Sequence, residues 1–314
     1  MRFPIRPFDY VPHFDFMRFR QFWMWSSLVM SLLALGLLGY QGLNYGIDFV
    51  GGKMLEVRLD KAMPVADVRK AVDEAGFEGS TIQVFGADNE FLIRLPGNAA
   101  HVQEAAAEAN VLAGLKQITP QAELRRVEFV GPQVGQELRV KGLMAMGVSI
   151  LAILVYVWMR FELRFGLGAI LSLVHDVVLT VGVMCLMRME ITLTVLAAIL
   201  TLIGYSLNDT IVIFDRVREN RARYPNRPLT EILNLSVNQT LARTLMTVST
   251  TLLVLIALFF WGGEVIHDFA LVLIVGIALG TYSSIFVASP TLLLLEQWYK
   301  RMAERDAAEA KVRK

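Results

Sequence analysis

One cysteine and four histidines are the only thiol and imidazole groups in this chain of 314 residues. Cys185 can form no intramolecular disulfide, and a lone thiol cannot assemble a thiolate cluster. It falls in an apolar stretch, where a small apolar filler is the expected part. There is no G-x-x-x-x-G-K-[ST] loop and no H-E-x-x-H helix, and Gly46–Gly52 (GIDFVGG) is not followed by a dinucleotide-binding pattern. The sequence therefore gives no reason to expect an enzyme, a cofactor or a metal. Charge of one sign is lacking too. Thirty Lys and Arg stand against 29 Asp and Glu, a net charge of +1, and no nucleic-acid partner is expected. Charged residues make up only 19% of the chain and apolar ones 55%, with a mean hydropathy of +0.50, far from a soluble globular norm.

Hydrophobic runs fill the chain instead. Phe22–Tyr40, Gly142–Met159, Phe165–Met187, Ile191–Phe214, Leu241–Trp261 and Ile266–Ser289 each come close to the roughly 20 apolar residues that a bilayer span requires. The first is too long for the core of a cleaved signal peptide and no A-x-A site follows it. The few cations are placed with a strong bias. Arg2, Arg6, Arg18 and Arg20 precede the first run, Arg160 and Arg164 separate the second from the third, Arg216, Arg218, Arg221, Arg223 and Arg227 follow the fourth, and Lys300, Arg301, Arg305, Lys311, Arg313 and Lys314 follow the sixth. The alternate loops carry Arg188 and little else. The positive-inside rule then places both termini in the cytoplasm. The expected division is a cytoplasmic segment over 1–21, span one over 22–40, an extracytoplasmic (periplasmic) domain with its linkers over 41–141, spans two to six over 142–290, and a cytoplasmic tail over 291–314.

The polar insert has a readable pattern. Met54–Leu59 alternates as a strand does, and Pro64–Ala75 opens with proline and repeats as a helix does. Thr81–Phe85 and Glu90–Leu95 are strands joined through Gly86 to Asn89. His101–Leu115 is a second helix and Ala122–Val130 a last strand. The order β-α-β-β-α-β is that of a ferredoxin-like split unit. The expected fold is an all-α bundle of six transmembrane helices with a small α+β ferredoxin-like domain between spans one and two. An exposed sheet edge could take up an extended peptide, and a domain that only contacts a partner is an equal alternative.

Ionisable residues in hydrocarbon are costly and point to function. Asp209 lies inside span four, roughly 9 Å along the helix from Asp215. Tyr205, four residues before it, shares its face, as does Arg216, while Asn208 lies beside it. Arg243 begins span five, with Thr247 and Thr250 forming a polar stripe after it. An arginine beside a carboxylate favours its charged form, and drawing the two apart favours proton uptake. Such a pair can have two states biased by one proton. The plainer readings are a polar anchor for Asp209 and a snorkelling side chain for Arg243. Asp176, after His175 in span three, is a relay group or a hydrogen-bonded support. His267 and Asp268, after Glu264, read as a wet helix cap more than as a proton entrance. Gly276, Gly280 and Ser284, and Gly168 with Ser172, are small-residue ladders for helix packing, within this chain or against a second subunit.

Five motifs carry a resemblance along nearly the whole chain: YGIDFVGG (Tyr45–Gly52), VGPQVG (Val130–Gly135), HDVVLTVG (His175–Gly182), GYSLNDTIVIFDRVREN (Gly204–Asn220) and NQTLARTLMT (Asn238–Thr247). Their order and placement around six spans resemble the SecF branch of the SecD/SecF protein-export family, in the resistance–nodulation–division superfamily. The resemblance implies a subunit of the bacterial inner membrane that pairs with a six-span SecD. It implies association with the SecYEG channel, with YajC and YidC as further partners, and use of the proton-motive force to promote preprotein export. The family's proton-site residues carry over onto Asp209 and Arg243, a further aspartate coming from SecD. Its GIDF-GG stretch (Gly46, Asp48, Gly51 and Gly52) carries over as the link between span one and the outer domain, the glycines permitting tight turns. Two alternatives stay open: a self-sufficient proton-driven exporter of small molecules or lipids, and a purely structural scaffold.

Overall fold

The computed structural model describes residues 13–85, 87–95 and 104–312. Arg2, Arg6, Gly86, His101, Arg313 and Lys314, which enter the reading above, lie outside the described residues. Among the described residues, six helical stretches are long and apolar enough to cross a membrane: Arg20–Gln41, Gln133–Arg160, Leu163–Leu186, Leu193–Arg223, Leu229–Trp261 and Ile266–Arg305. They are carried by α1 (Arg20–Gln41), α5 (Pro132–Arg160), α6 (Leu163–Leu186), α7 (Leu193–Arg223), α8 (Leu229–Trp261), and α9 (Glu264–Ser283) running on into α10 (Ser289–Val312). Several helices extend beyond the apolar runs, because polar residues continue a helix once its ends reach water. Proline sets two of these early starts, Pro132 as the first residue of α5 and Pro228 as the N-cap of α8. The fourth span begins at Leu193, not Ile191, because Glu190–Ile191 form a short strand, β6. Between α9 and α10 the helix widens into a π turn over Ser284–Ala288, and the Ser289 hydroxyl donates to the Ser284 carbonyl at 3.1 Å.

The chain divides into two compact units. One comprises Asn44–Met146 with Glu190–Leu193. Here β2 (Gly52–Arg58), β3 (Thr81–Phe85), β4 (Ala87–Leu95) and β5 (Glu123–Val130) form an antiparallel sheet in the order β3-β4-β2-β5. Alternate residues Leu55 and Val57, and Phe91, Ile93 and Leu95, point to one face and are buried against α3 (Val65–Glu74) and α4 (Glu104–Ile118). Where the sequence suggests a turn reaching to Asn89, β4 already begins at Ala87, which pairs with Phe85. Asn89 is free for other work: its side-chain amide donates to the Leu59 carbonyl at 2.7 Å and closes the end of β2. In the same unit β1 (Asn44–Tyr45) pairs in parallel with β6, and a single helical turn, α2 (Ile47–Val50), follows β1.

The other unit comprises the described residues up to Leu43, Gly147–Met189 and Thr194 onward. Its core packs Phe161, Phe165 and Phe214 with Val217, Ile232, Leu233, Val237 and Leu292. About half of the apolar stretch of α6 and of α7 is buried (56% each), against 11% for α1 and α5 and 17% for α8. Charged and amide side chains fasten the helix ends. Glu296 accepts from Arg164 and from Arg221, tying α6, α7 and α10. Asn238 grips the backbone of Phe14 from both sides, accepting its N–H at 2.9 Å and donating to its carbonyl at 2.8 Å.

Candidate functional site

Asp209 sits on the buried side of α7, only 5% exposed. Its Oδ2 has no hydrogen-bond partner among the described residues, an unusual state for a buried polar atom and one that asks for a reason. Arg243 of α8 is close enough to act on it electrostatically, yet no hydrogen bond joins the two among the described residues. Arg243, Thr247 and Thr250 are exposed on α8, and Asn208 on α7. The threonine hydroxyls are satisfied by their own helix: Thr247 donates to the Arg243 carbonyl at 2.9 Å, and Thr250 to that of Met246 at 3.0 Å. Thr251, which the sequence reading passed over, links the two helices, accepting from the Tyr205 hydroxyl at 3.3 Å. Tyr205 with Thr251, and Asp209 with Arg243, thus relate α7 to α8, while Asn208, Arg243, Thr247 and Thr250 form an exposed polar face in helices that are otherwise apolar. Such a face suits water or a protein partner, not lipid tails.

Asp176 belongs to a different cluster. It is fully buried, and its Oδ2 accepts from the hydroxyls of Ser206 on α7 and Ser283 on α9, the latter at 2.8 Å. Ser172 donates to Ser283 at 3.0 Å, and His175 Nδ1 lies 3.1 Å from Asp176 Oδ1. The His175 ring stacks on Tyr282, whose hydroxyl is 3.0 Å from that of Ser27 on α1. No arginine or lysine bonds to Asp176 among the described residues. Hydroxyls both donate and accept, so this cage serves a carboxylate or a carboxylic acid alike. The sequence reading took Ser172 as a packing residue and passed over Ser206 and Ser283. At the start of α9, His267 Nδ1 lies 3.3 Å from Asp268 Oδ1, and both side chains are more than a third exposed.

The GIDF-GG stretch lies in the αβ unit. Gly51 and Gly52 have φ of +74° and +126°, conformations that disfavour any side chain. Gly46 has an ordinary φ of −67°, and space is what constrains it: a Cβ there would come within 3.0 Å of the Ile191 carbonyl oxygen. Asp48 Oδ2 accepts the Leu193 N–H at 2.8 Å.

The family description "Protein export membrane protein SecD/SecF, C-terminal" matches residues 110–298, and "SecD/SecF GG Motif" matches residues 36–63. The protein translocase subunit SecF of Magnetococcus marinus is 50% identical over 300 residues, which cover 95% of this chain and 96% of that protein. The SecF subunit of Rickettsia felis is 42% identical over 96% of this chain and 99% of its own length. Among solved structures, SecDF from Thermus thermophilus, a translocon-associated membrane protein, matches 94% of this chain with a TM-score of 0.84 and 38% identity. A crystal structure of SecDF in a super-membrane-facing form matches 95% with a TM-score of 0.69. This chain spans 40% of the length of each of those SecDF chains.

Proposed function

The chain belongs to the SecD/SecF family of protein-export membrane proteins, and from that premise we propose that it is a SecF-type accessory subunit of the Sec translocase. In this reading it is a multi-pass protein of the bacterial inner membrane that pairs with SecD and uses the proton-motive force to promote preprotein export. It works beside SecYEG, with YajC and YidC as further partners, and carries out no enzymatic reaction. Both termini are cytoplasmic, as the arginine distribution favours. Residues 41–141 lie outside as a ferredoxin-like domain, supported by the element order β-α-β-β-α-β and the strand order of the sheet.

One observation carries the reading. A buried aspartate with a free carboxylate oxygen stands beside an exposed arginine and threonine face in membrane-spanning helices. Charged Asp209 attracts Arg243 and draws α7 towards α8; a proton on Asp209 Oδ2 removes that attraction and lets the two separate. Tyr205, Asn208 and Thr247 line the face along which this happens. SecD, on this account, closes the face and adds the second acidic group. Asp176, caged by hydroxyls that tolerate both protonation states, is the secondary candidate.

The test is preprotein translocation into inverted vesicles with and without an imposed proton gradient, at matched protein levels. Asp209→Asn should insert normally and lose most of the gradient-dependent stimulation, leaving ATP-driven transport. Asp209→Glu should keep more of it. Full stimulation in the Asn variant would remove Asp209 as the titrating group and turn attention to Asp176; a scaffold would behave in that way too.

A further inference from the structure

We propose that Asp48 is a positioning residue that holds Leu193, the first residue of α7, within the αβ unit and so sets the helix that carries Asp209. The inference rests on the proton-site reading above.

The segment Glu190–Leu193 joins α6 to α7, yet it belongs to the αβ unit. Separate contacts grip these residues. β1 pairs with β6, Asn44 opposite Glu190 and Tyr45 opposite Ile191. The Gly46 N–H donates to the Ile191 carbonyl at 2.8 Å. Arg94 of β4 forms an ion pair with Glu190 at 2.6 Å, and the two side chains are only 14% and 9% exposed. The GIDF-GG stretch is itself backed by the first turn of α5, where a Cβ on Gly135 would fall 2.9 Å from the Gly51 nitrogen. A connection that merely joined two helices would need none of this.

Asp48 touches the helix itself, accepting the Leu193 N–H at 2.8 Å. The first N–H groups of a helix have no acceptor within it, and a carboxylate there is favoured by both hydrogen bonding and the helix dipole. For α7 one acceptor comes from 145 residues earlier in the chain, on the other side of the whole sheet domain. From Leu193 the helix runs without a break to Arg223. Leu193 and Asp209 therefore lie on one rod, about 24 Å apart at roughly 1.5 Å per residue. A pull or twist on the first turn reaches Asp209 because the helix between them is unbroken. The coupling is reciprocal: what Asp209 does to α7 is felt at Asp48. This gives the glycine-rich motif a physical task. Gly46 lets β1 approach β6, Gly51 and Gly52 turn the chain back into the sheet, and Asp48 holds the helix.

The acceptor can be separated from the charge. Asp48→Asn keeps a side-chain oxygen that can accept from the Leu193 N–H, whereas Asp48→Ala has none. Two readings on the full chain in its native membrane test the proposal. Hydrogen exchange of peptides covering 190–198 should quicken at least about tenfold in Asp48→Ala and stay near wild type in Asp48→Asn. Labelling of Asp209 by a hydrophobic carbodiimide, which attacks protonated carboxyl groups, should change at least about threefold across a pH series in Asp48→Ala and follow the wild-type profile in Asp48→Asn. Merely local loss of a helix cap would quicken exchange and leave the Asp209 profile unmoved, and that result would overturn the proposal. So would an Asn variant as altered as the Ala variant, since the charge would then be what matters. Neither reading depends on export, so failure of the Asp209→Asn translocation test strikes the proton reading and leaves the mechanical link to be judged by its own data.

Discussion

At the scale of single residues, the two carboxylates in the spans are met in opposite ways. Asp209 has a free oxygen and a nearby arginine; Asp176 has hydroxyl donors, the neighbouring His175 and, among the described residues, no bonded arginine or lysine. Asp209, Arg243 and Thr247 were legible because acids, bases and threonine stripes stand out in an apolar helix. The cage around Asp176 was not. Serine is common in helices as a small packing residue, and Ser283 lies 107 residues from the aspartate it serves, so nothing local announces the bond. The cage makes its own prediction. Ser283→Ala removes a buried donor and should lower stability by about 1–2 kcal/mol, read by thermal unfolding in mild detergent. In a double-mutant cycle with Asp176→Asn most of that loss should disappear, because the donor then bonds a weaker, neutral acceptor. Strictly additive losses would mean that Ser283 matters through its other bonds, accepting from Ser172 at 3.0 Å and donating to the Gly280 carbonyl at 3.0 Å.

At the scale of elements, periodicity served the sequence well wherever an element has one clear face. The alternation of Leu55 and Val57 and the helical repeat of Val68, Ala71 and Val72 mark buried positions directly. It served poorly at ends and in very short pieces. A two-residue strand such as β6 has no period to read, and its existence depends on Asn44 and Tyr45 arriving beside it from far along the chain. Tertiary pairing, not local propensity, therefore decided where α7 starts. The orientation of the helices rests on the arginines: Arg216, Arg218, Arg221 and Arg223 crowd the C-terminal end of α7. A reporter fused at residue 225 is expected to read cytoplasmic and one fused within 60–120 periplasmic. The opposite pattern would invert the assignment of every helix end, and with it the side from which protons reach Asp209.

At the scale of the whole molecule, the unevenness of burial carries the argument. Exposed apolar surface on α1 and α5 is what lipid accepts readily. Exposed Arg243, Thr247 and Thr250 on α8 with Asn208 on α7 are another matter, since polar and charged side chains on membrane-spanning helices are costly against hydrocarbon. This face therefore belongs against protein or a protein-lined aqueous cavity. The SecDF chains, of which this chain spans 40%, fit a partner of comparable or larger size. The chain has an experimental convenience here: its one cysteine, Cys185, is buried, so an introduced thiol reports from its own position. Cysteine at Thr250, on the polar face, should crosslink in native membranes to a second polytopic protein, identified as SecD by mass spectrometry. Cysteine at Leu33, 68% exposed on the apolar α1, provides the comparison and should crosslink several-fold less. Equal yields at both positions would mean that the polar face has no dedicated partner. Gradient-stimulated export by this chain in membranes lacking SecD would go further, because the half-site would then be complete without a second acidic group.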